Sequence, residues 1–226
     1  MRGGIAFVHK VPDSFEDCLT THIAKERPNL ERARRQWKTY CERLEQLGYE
    51  LKVLEENAHL ADALFVEDTG VVLGGHFLQA RMSAPSRREE VALVSKEFSE
   101  THRIVELKPP ATLDGGDVLR VGRKLFVGQS GRTNREAYEQ VRSLVGPLGY
   151  DVMAIEVTGC LHLKTAVTAL DEETLLLNPR WVNPARFCGW KIVTTPDEEP
   201  FSANVLRAGG QLTVAAGYPR RAEKLE

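Results

Sequence analysis

Asp68-Thr69-Gly70-Val71-Val72-Leu73-Gly74-Gly75 starts on a carboxylate, runs through a short apolar strand and ends in a glycine turn. The same design recurs as Asp117-Val118-Leu119-Arg120-Val121-Gly122, as His162-Leu163-Lys164-Thr165-Ala166-Val167-Thr168-Ala169-Leu170, and as Asn204-Val205-Leu206-Arg207-Ala208-Gly209-Gly210. The leading residues lie 49, 45 and 42 positions apart, a period that points to a propeller or another repeat architecture. In a radial arrangement equivalent positions converge, so two carboxylates, an imidazole and an amide would share one centre. The same period places a fifth leading residue at about position 245–250, past Glu226, where the sequence ends.

The segments between these hairpins read as helices and strands. Leu30, Ala33, Trp37, Cys41, Leu44 and Leu47 recur at spacings of three and four, with charged residues between them, the stripe of an amphipathic helix. Gly48 is placed to end it in a left-handed cap, and Tyr49 to Leu54 alternates as a strand. A second helix is expected from Ser86, with Glu89 three residues on as in a capping box. A third is expected from Thr133, with Glu136 in the same relation. Leu148-Gly149-Tyr150-Asp151-Val152-Met153-Ala154-Ile155 repeats Leu47-Gly48-Tyr49-Glu50-Leu51-Lys52-Val53-Leu54 at a distance of 101 residues. Ile5 to Val8 reads as a first strand. Pro179, Pro184, Pro196 and Pro200 mark an irregular stretch before the last hairpin. Nothing reads as a linker, so residues 1–226 are expected to form a single α/β domain of helix–strand–hairpin units around an axis.

Composition narrows the function. With 42% hydrophobic and 27% charged residues the chain is an ordinary globular protein. Its net charge of −2 gives no footprint for nucleic acid or an anionic membrane surface. No apolar run approaches the roughly 18 residues of a spanning helix, and the N-terminus turns polar too early for a signal peptide. Cys18, Cys41, Cys160 and Cys188 are scattered without metal-ligand or disulfide spacing, which fits a reducing cytoplasm.

The candidate chemistry gathers in four strings. Asp62, Glu67 and Asp68 surround Leu64-Phe65-Val66. Acids beside an apolar run suit a partly desolvated cation, and a planar guanidinium pairs with a carboxylate through two parallel hydrogen bonds. Along a strand Glu67 and Asp68 cannot face the same way without a bend. In Leu113-Asp114-Gly115-Gly116-Asp117-Val118-Leu119 the glycines let the backbone turn sharply, and the flanking acids can hold a histidine tautomer or bind a cation. His162, between two leucines in an expected strand, reads as an acid/base group oriented by Asp114. Arg87 and Arg132 stand at the starts of the second and third helices, a cradle for a carboxylate or phosphate. Acids for a cation, arginines for an anion and a histidine between them match the charge layout of a guanidino amino acid.

These strings resemble the dimethylarginine dimethylaminohydrolases of the guanidine-modifying superfamily, which includes arginine deiminases and amidinotransferases. The resemblance rests on Phe65-Val66-Glu67-Asp68, Ala84-Pro85-Ser86-Arg87-Arg88, Leu113 to Leu119, Arg132-Thr133-Asn134 and Leu161-His162-Leu163-Lys164, and runs as far as Tyr218-Pro219. It implies a pentein-type, fivefold pseudosymmetric α/β propeller whose fifth unit is incomplete here. It also implies hydrolysis of methylated arginine to citrulline and a methylamine through a covalent cysteine thiouronium. By position, His162 would be proton donor and water activator, with Asp114 orienting it. Asp68 and Glu67 would grip the guanidinium, with Asp62 and Leu19 near the substrate, while Arg87 and Arg132 would hold the α-carboxylate. No metal or organic cofactor is implied. The partner is a small molecule, with no nucleic acid and no membrane, and a homodimer is compatible with the family.

In this family the nucleophile lies in a Thr-Cys segment near the C-terminus, past residue 226, and none of the four cysteines stands at a matching position. The 226 residues are therefore expected not to turn over substrate alone. The alternatives are a non-catalytic binder of guanidine compounds, a related deiminase or amidinotransferase, and a route in which Cys160 replaces the thiol.

Overall fold

The computed structural model describes residues 4–21, 27–54 and 59–220. Its contacts divide the chain into two compact units, Met1–Glu106 and Leu107–Glu226.

In the first unit, β1 (Ile5–His9) is followed by α1 (Leu30–Gln46) and returns parallel as β2 (Glu50–Leu54). Asn29 caps α1 by accepting from Arg32 N at 2.7 Å, and Gly48 leaves the helix at φ 89°, a conformation that favours glycine. The stripe read from the sequence turns Cys41 and Leu44 onto Val8, with Trp37 and Leu51 packed alongside. A hairpin follows, β3 (Gly70–Leu73) antiparallel to β4 (His76–Gln79), and α2 (Arg88–Ser99) then leads to β5 (Arg103–Val105), parallel to β4. Phe98 of α2 stacks on Phe77 at 4.4 Å and meets Phe7 at 4.7 Å, pairs that each add about 0.5–1.5 kcal/mol beyond burial.

The second unit repeats the plan twice in full. The hairpin β6 (Val118–Val121) and β7 (Lys124–Gln129) is joined through α3 (Arg135–Val145) to β8 (Asp151–Glu156), parallel to β7. The short α4 (Leu163–Ala166) enters the hairpin β9 (Val167–Ala169) and β10 (Thr174–Leu177), which takes β11 (Lys191–Thr194) in parallel. The last hairpin is β12 (Leu206–Ala208) and β13 (Gln211–Thr213), turning on Gly209 and Gly210, both at positive φ. Phe126, Leu175, Leu177 and Phe187 are fully buried in the main core of this unit.

All four hairpins stand where their leading residues placed them. Three helix starts differ. Pro85 opens a 3-10 turn over Pro85–Arg87, so α2 begins at Arg88 and Ser86 forms no side-chain cap. At α3 the cap is Asn134, whose side chain accepts from Ala137 N at 3.0 Å, because the Thr133 hydroxyl is used elsewhere. His162 is extended, but it begins a helical turn and not a strand, since Leu163 N donates to Asp117 Oδ1 at 2.8 Å. Among the described residues no helix is long and apolar enough to cross a membrane.

Candidate active site

In the first unit the acidic string is broken by a 3-10 turn, Val66–Thr69. Three residues per turn send neighbours in different directions, so Glu67 is exposed while Asp68 is buried. Asp62, also buried, accepts the Leu19 backbone N–H at 3.1 and 3.3 Å, which brings together two of the expected substrate-side residues.

Arg87 is only 4% exposed and its charge is answered within the protein. Nη1 donates to Asp68 Oδ2 at 2.8 Å, Nη2 to Glu90 Oε2 at 2.9 Å, and Nε to both Glu90 oxygens at 3.1 and 3.2 Å. The Phe65 ring lies 5.8 Å from the guanidinium carbon. Burial alone would lower the Arg87 pKa, but the bonds and charges of Glu90 and Asp68 outweigh it and raise the pKa, so Arg87 stays a cation. Burial pushes the Glu90 carboxyl up to about 7, against the pull of Arg87 and helped by Asp62 and Asp68. The sequence reading placed Arg87 on the substrate's carboxylate; the structure gives it two carboxylates of its own chain. Glu90 was missed. Its signal was the spacing of three from an arginine at a helix start.

In the second unit Asp114, Asp117, Arg132 and His162 are all buried. Asp114 precedes and Asp117 ends a 3-10 turn, Gly115–Asp117. Arg132 Nη1 lies 3.7 Å from Asp114 Oδ2, and Asp114 N donates to Thr133 Oγ1 at 3.2 Å. His162 Nδ1 lies 3.3 Å from Asp117 Oδ2. That oxygen also accepts from Ser130 Oγ and Thr133 Oγ1, both at 2.7 Å. Asp117, noted from the sequence as the head of a repeat, is thus a direct partner of the histidine. Among the described residues no three His, Cys, Asp or Glu side chains group as metal ligands.

Cys160 lies two residues from His162, but its thiol donates to the His162 carbonyl at 3.4 Å. Burial, then the charge of Asp117, push its pKa up to about 12, so at neutral pH it is a thiol and a poor nucleophile. The fold holds that proton more tightly than the unfolded chain does. This contribution to stability is present below pH 9 and is lost as pH rises from 9 toward 12. Cys188 is exposed, whereas Cys41 and Cys160 are buried. At pH 8 a thiol reagent is therefore expected to label Cys188 rapidly and Cys160 only after denaturant is added. Mass mapping that finds Cys160 labelled as fast as Cys188 would refute this.

The fold is the pentein-type α/β fold of solved dimethylarginine dimethylaminohydrolase and ArgZ structures. The Pseudomonas aeruginosa dimethylarginine dimethylaminohydrolase, a cysteine-to-serine mutant complexed with citrulline, superposes with a TM-score of 0.92 at 25% identity, covering 100% of this chain and 89% of that one. The N-terminal domain of ArgZ, a cyanobacterial arginine dihydrolase, has a TM-score of 0.83 at 19% identity and shares the fold. In sequence the chain is 36% identical over 222 residues to the Streptomyces coelicolor N(G),N(G)-dimethylarginine dimethylaminohydrolase, covering 97% of this chain and 85% of the relative. The Pseudomonas aeruginosa enzyme is 28% identical over 215 residues. Residues 12–178 match the family model described as N,N dimethylarginine dimethylhydrolase, eukaryotic. The chain belongs to the dimethylarginine dimethylaminohydrolase family.

Proposed function

We propose that this chain supplies the substrate-binding and proton-transfer residues for hydrolysis of dimethylarginine to citrulline and dimethylamine, with the nucleophilic thiol lying outside residues 1–226. The observation that carries the reading is a buried histidine held at Nδ1 by a buried carboxylate, within a chain matched to these hydrolases over nearly its whole length. A cysteine thiolate adds to the guanidinium carbon. His162 protonates the departing dimethylamine, which leaves a thiouronium. His162 then takes a proton from water as it attacks, and the thiolate is expelled with citrulline. The four cysteines do not suit the nucleophile's part. Cys160 keeps its proton, Cys41 is buried in a helix core, burial and Asp62 raise the Cys18 pKa, and Cys188 donates to Ala185 O at 3.0 Å. We assign the thiol to the Thr-Cys segment that the family carries after the position of residue 226.

Asp117 meets His162 at Nδ1 and Asp114 pairs with Arg132, while Asp62, Glu67 and Asp68 take the guanidinium, with Leu19 beside the substrate. The α-carboxylate falls chiefly to Arg132, because Arg87 is already engaged by Asp68 and Glu90. Binding tests this without the nucleophile. Titration calorimetry is expected to show saturable binding of dimethylarginine, with weaker binding of agmatine, which lacks the α-carboxylate. Arg132→Ala should weaken dimethylarginine by about 30-fold or more, the scale of about 2–5 kcal/mol for a buried charge pair that loses one partner, and leave agmatine nearly unchanged. Equal affinity of the Arg132→Ala and unaltered chains for dimethylarginine would sink the carboxylate assignment.

A further inference from the structure

We infer that Asp117 is a positioning residue that fixes the tautomer of His162 and seats the turn bearing Arg132. The inference rests on the reading of His162 as the proton-transfer group. It follows from an inventory of protons. Ser130 Oγ accepts the backbone N–H groups of Arg132 and Thr133 at 3.0 and 3.2 Å, so its own proton is the one that reaches Asp117 Oδ2. Thr133 Oγ1 accepts from Asp114 N, so its proton also goes to that oxygen. Leu163 N supplies a third donor, at Oδ1. A carboxyl group that already receives three donors is an acceptor throughout, which makes His162 Nδ1 the protonated nitrogen. In the neutral ring Nε2 is then the basic nitrogen, the form that can take a proton from water.

The backbone is shaped around this carboxylate. A Cβ at Gly128 would stand 2.7 Å from Asp117 Oδ1 and 2.8 Å from Leu163 Cβ, so glycine lets β7 pass close beneath it. Through Ser130 and Thr133 one buried side chain therefore ties together the histidine and the loop that carries the arginine.

The 226-residue chain, labelled with 15N, tests this without substrate. The His162 ring signals are assigned by their loss in His162→Gln. The unaltered chain is expected to carry its neutral-form proton on Nδ1, and Asp117→Asn to move that proton wholly or partly to Nε2. Thr133→Val, which removes one donor to Asp117 but leaves His162's contact, should keep it on Nδ1. A proton on Nε2 in the unaltered chain overturns the inference, whether or not any variant folds. A folded Asp117→Asn that keeps Nδ1–H overturns it too, as does a shift produced by Asp114→Asn and not by Asp117→Asn. Because nothing here depends on binding or turnover, its failure leaves the hydrolase reading to its own calorimetric test.

Discussion

Arg87→Ala is expected to destabilise the fold by about 3–5 kcal/mol at neutral pH, the scale for breaking a buried ion cluster by removing one partner. The reason lies in what remains. Asp68 and Glu90 are buried, and the guanidinium supplies a hydrogen bond to the first and a bidentate pairing to the second. Without it two acids are left out of water with no cation between them. The Glu90 carboxyl, already held up at about 7 against the pull of Arg87, would be pushed higher once that pull is gone. Such a group favours folding while protonated, and that contribution is lost as pH rises through the raised value. The deficit against the unaltered chain is therefore expected to be larger at pH 7.5 than at pH 5. In urea the variant's midpoint should fall by about 1–2 M at pH 7.5, for a slope of about 2–3 kcal/mol per M. A loss under 1 kcal/mol, or an equal loss at both pH values, would show that the cluster is solvated enough to do without its cation.

The four hairpins were legible because each joins a polar head, an alternating apolar strand and a turn at a regular period. α1 was legible for a similar reason, since its apolar stripe runs through four turns and ends on a glycine. The third strands β5 and β11 were not, because three or four residues carry too little pattern to separate a strand from a loop. The start of α2 was misplaced because Pro85 opens a 3-10 turn ahead of it, and that of α3 for a different reason. A serine or threonine three residues before a glutamate signals a cap only if its hydroxyl is not claimed by something distant in sequence. Thr133 is claimed by Asp117, sixteen residues earlier.

The same competition explains the site. Asp114 and Asp117 flank one glycine pair, and spacing alone does not say which carboxylate meets the histidine. A 3-10 turn between them settles that Asp117 reaches Nδ1. Glu67 and Asp68 were both read as guanidinium ligands that could not face the same way without a bend, and the turn at 66–69 separates them into an exposed and a buried acid. Arg87 shows the limit of reading charge from sequence. An arginine at a helix start looks like an anion site whether its anion is a ligand or a glutamate one turn along.

His162→Gln should lower kcat by about 10²–10⁴-fold in the enzyme with its thiol in place, the range for loss of a positioned general acid–base group, while KM changes little. Glutamine approximates the ring's reach and can still donate to Asp117 Oδ2, so the buried network keeps a partner and stability should barely move. What is lost is a ring that can both give and take a proton. That loss is felt where the amine departs and where water attacks, steps in which charge on the substrate is changing, and hardly at all in the bound ground state. A substitution of this kind lowers kcat and kcat/KM together. It should also let the covalent thiouronium persist, since water without a base resolves it slowly. Steady-state kinetics combined with intact-protein mass after mixing with substrate separates the possibilities. A large rise in KM at unchanged kcat would make His162 a binding residue. A fall in kcat of less than tenfold would remove it from the proton transfers, and the acid–base role would have to be sought among the other buried groups of the second unit.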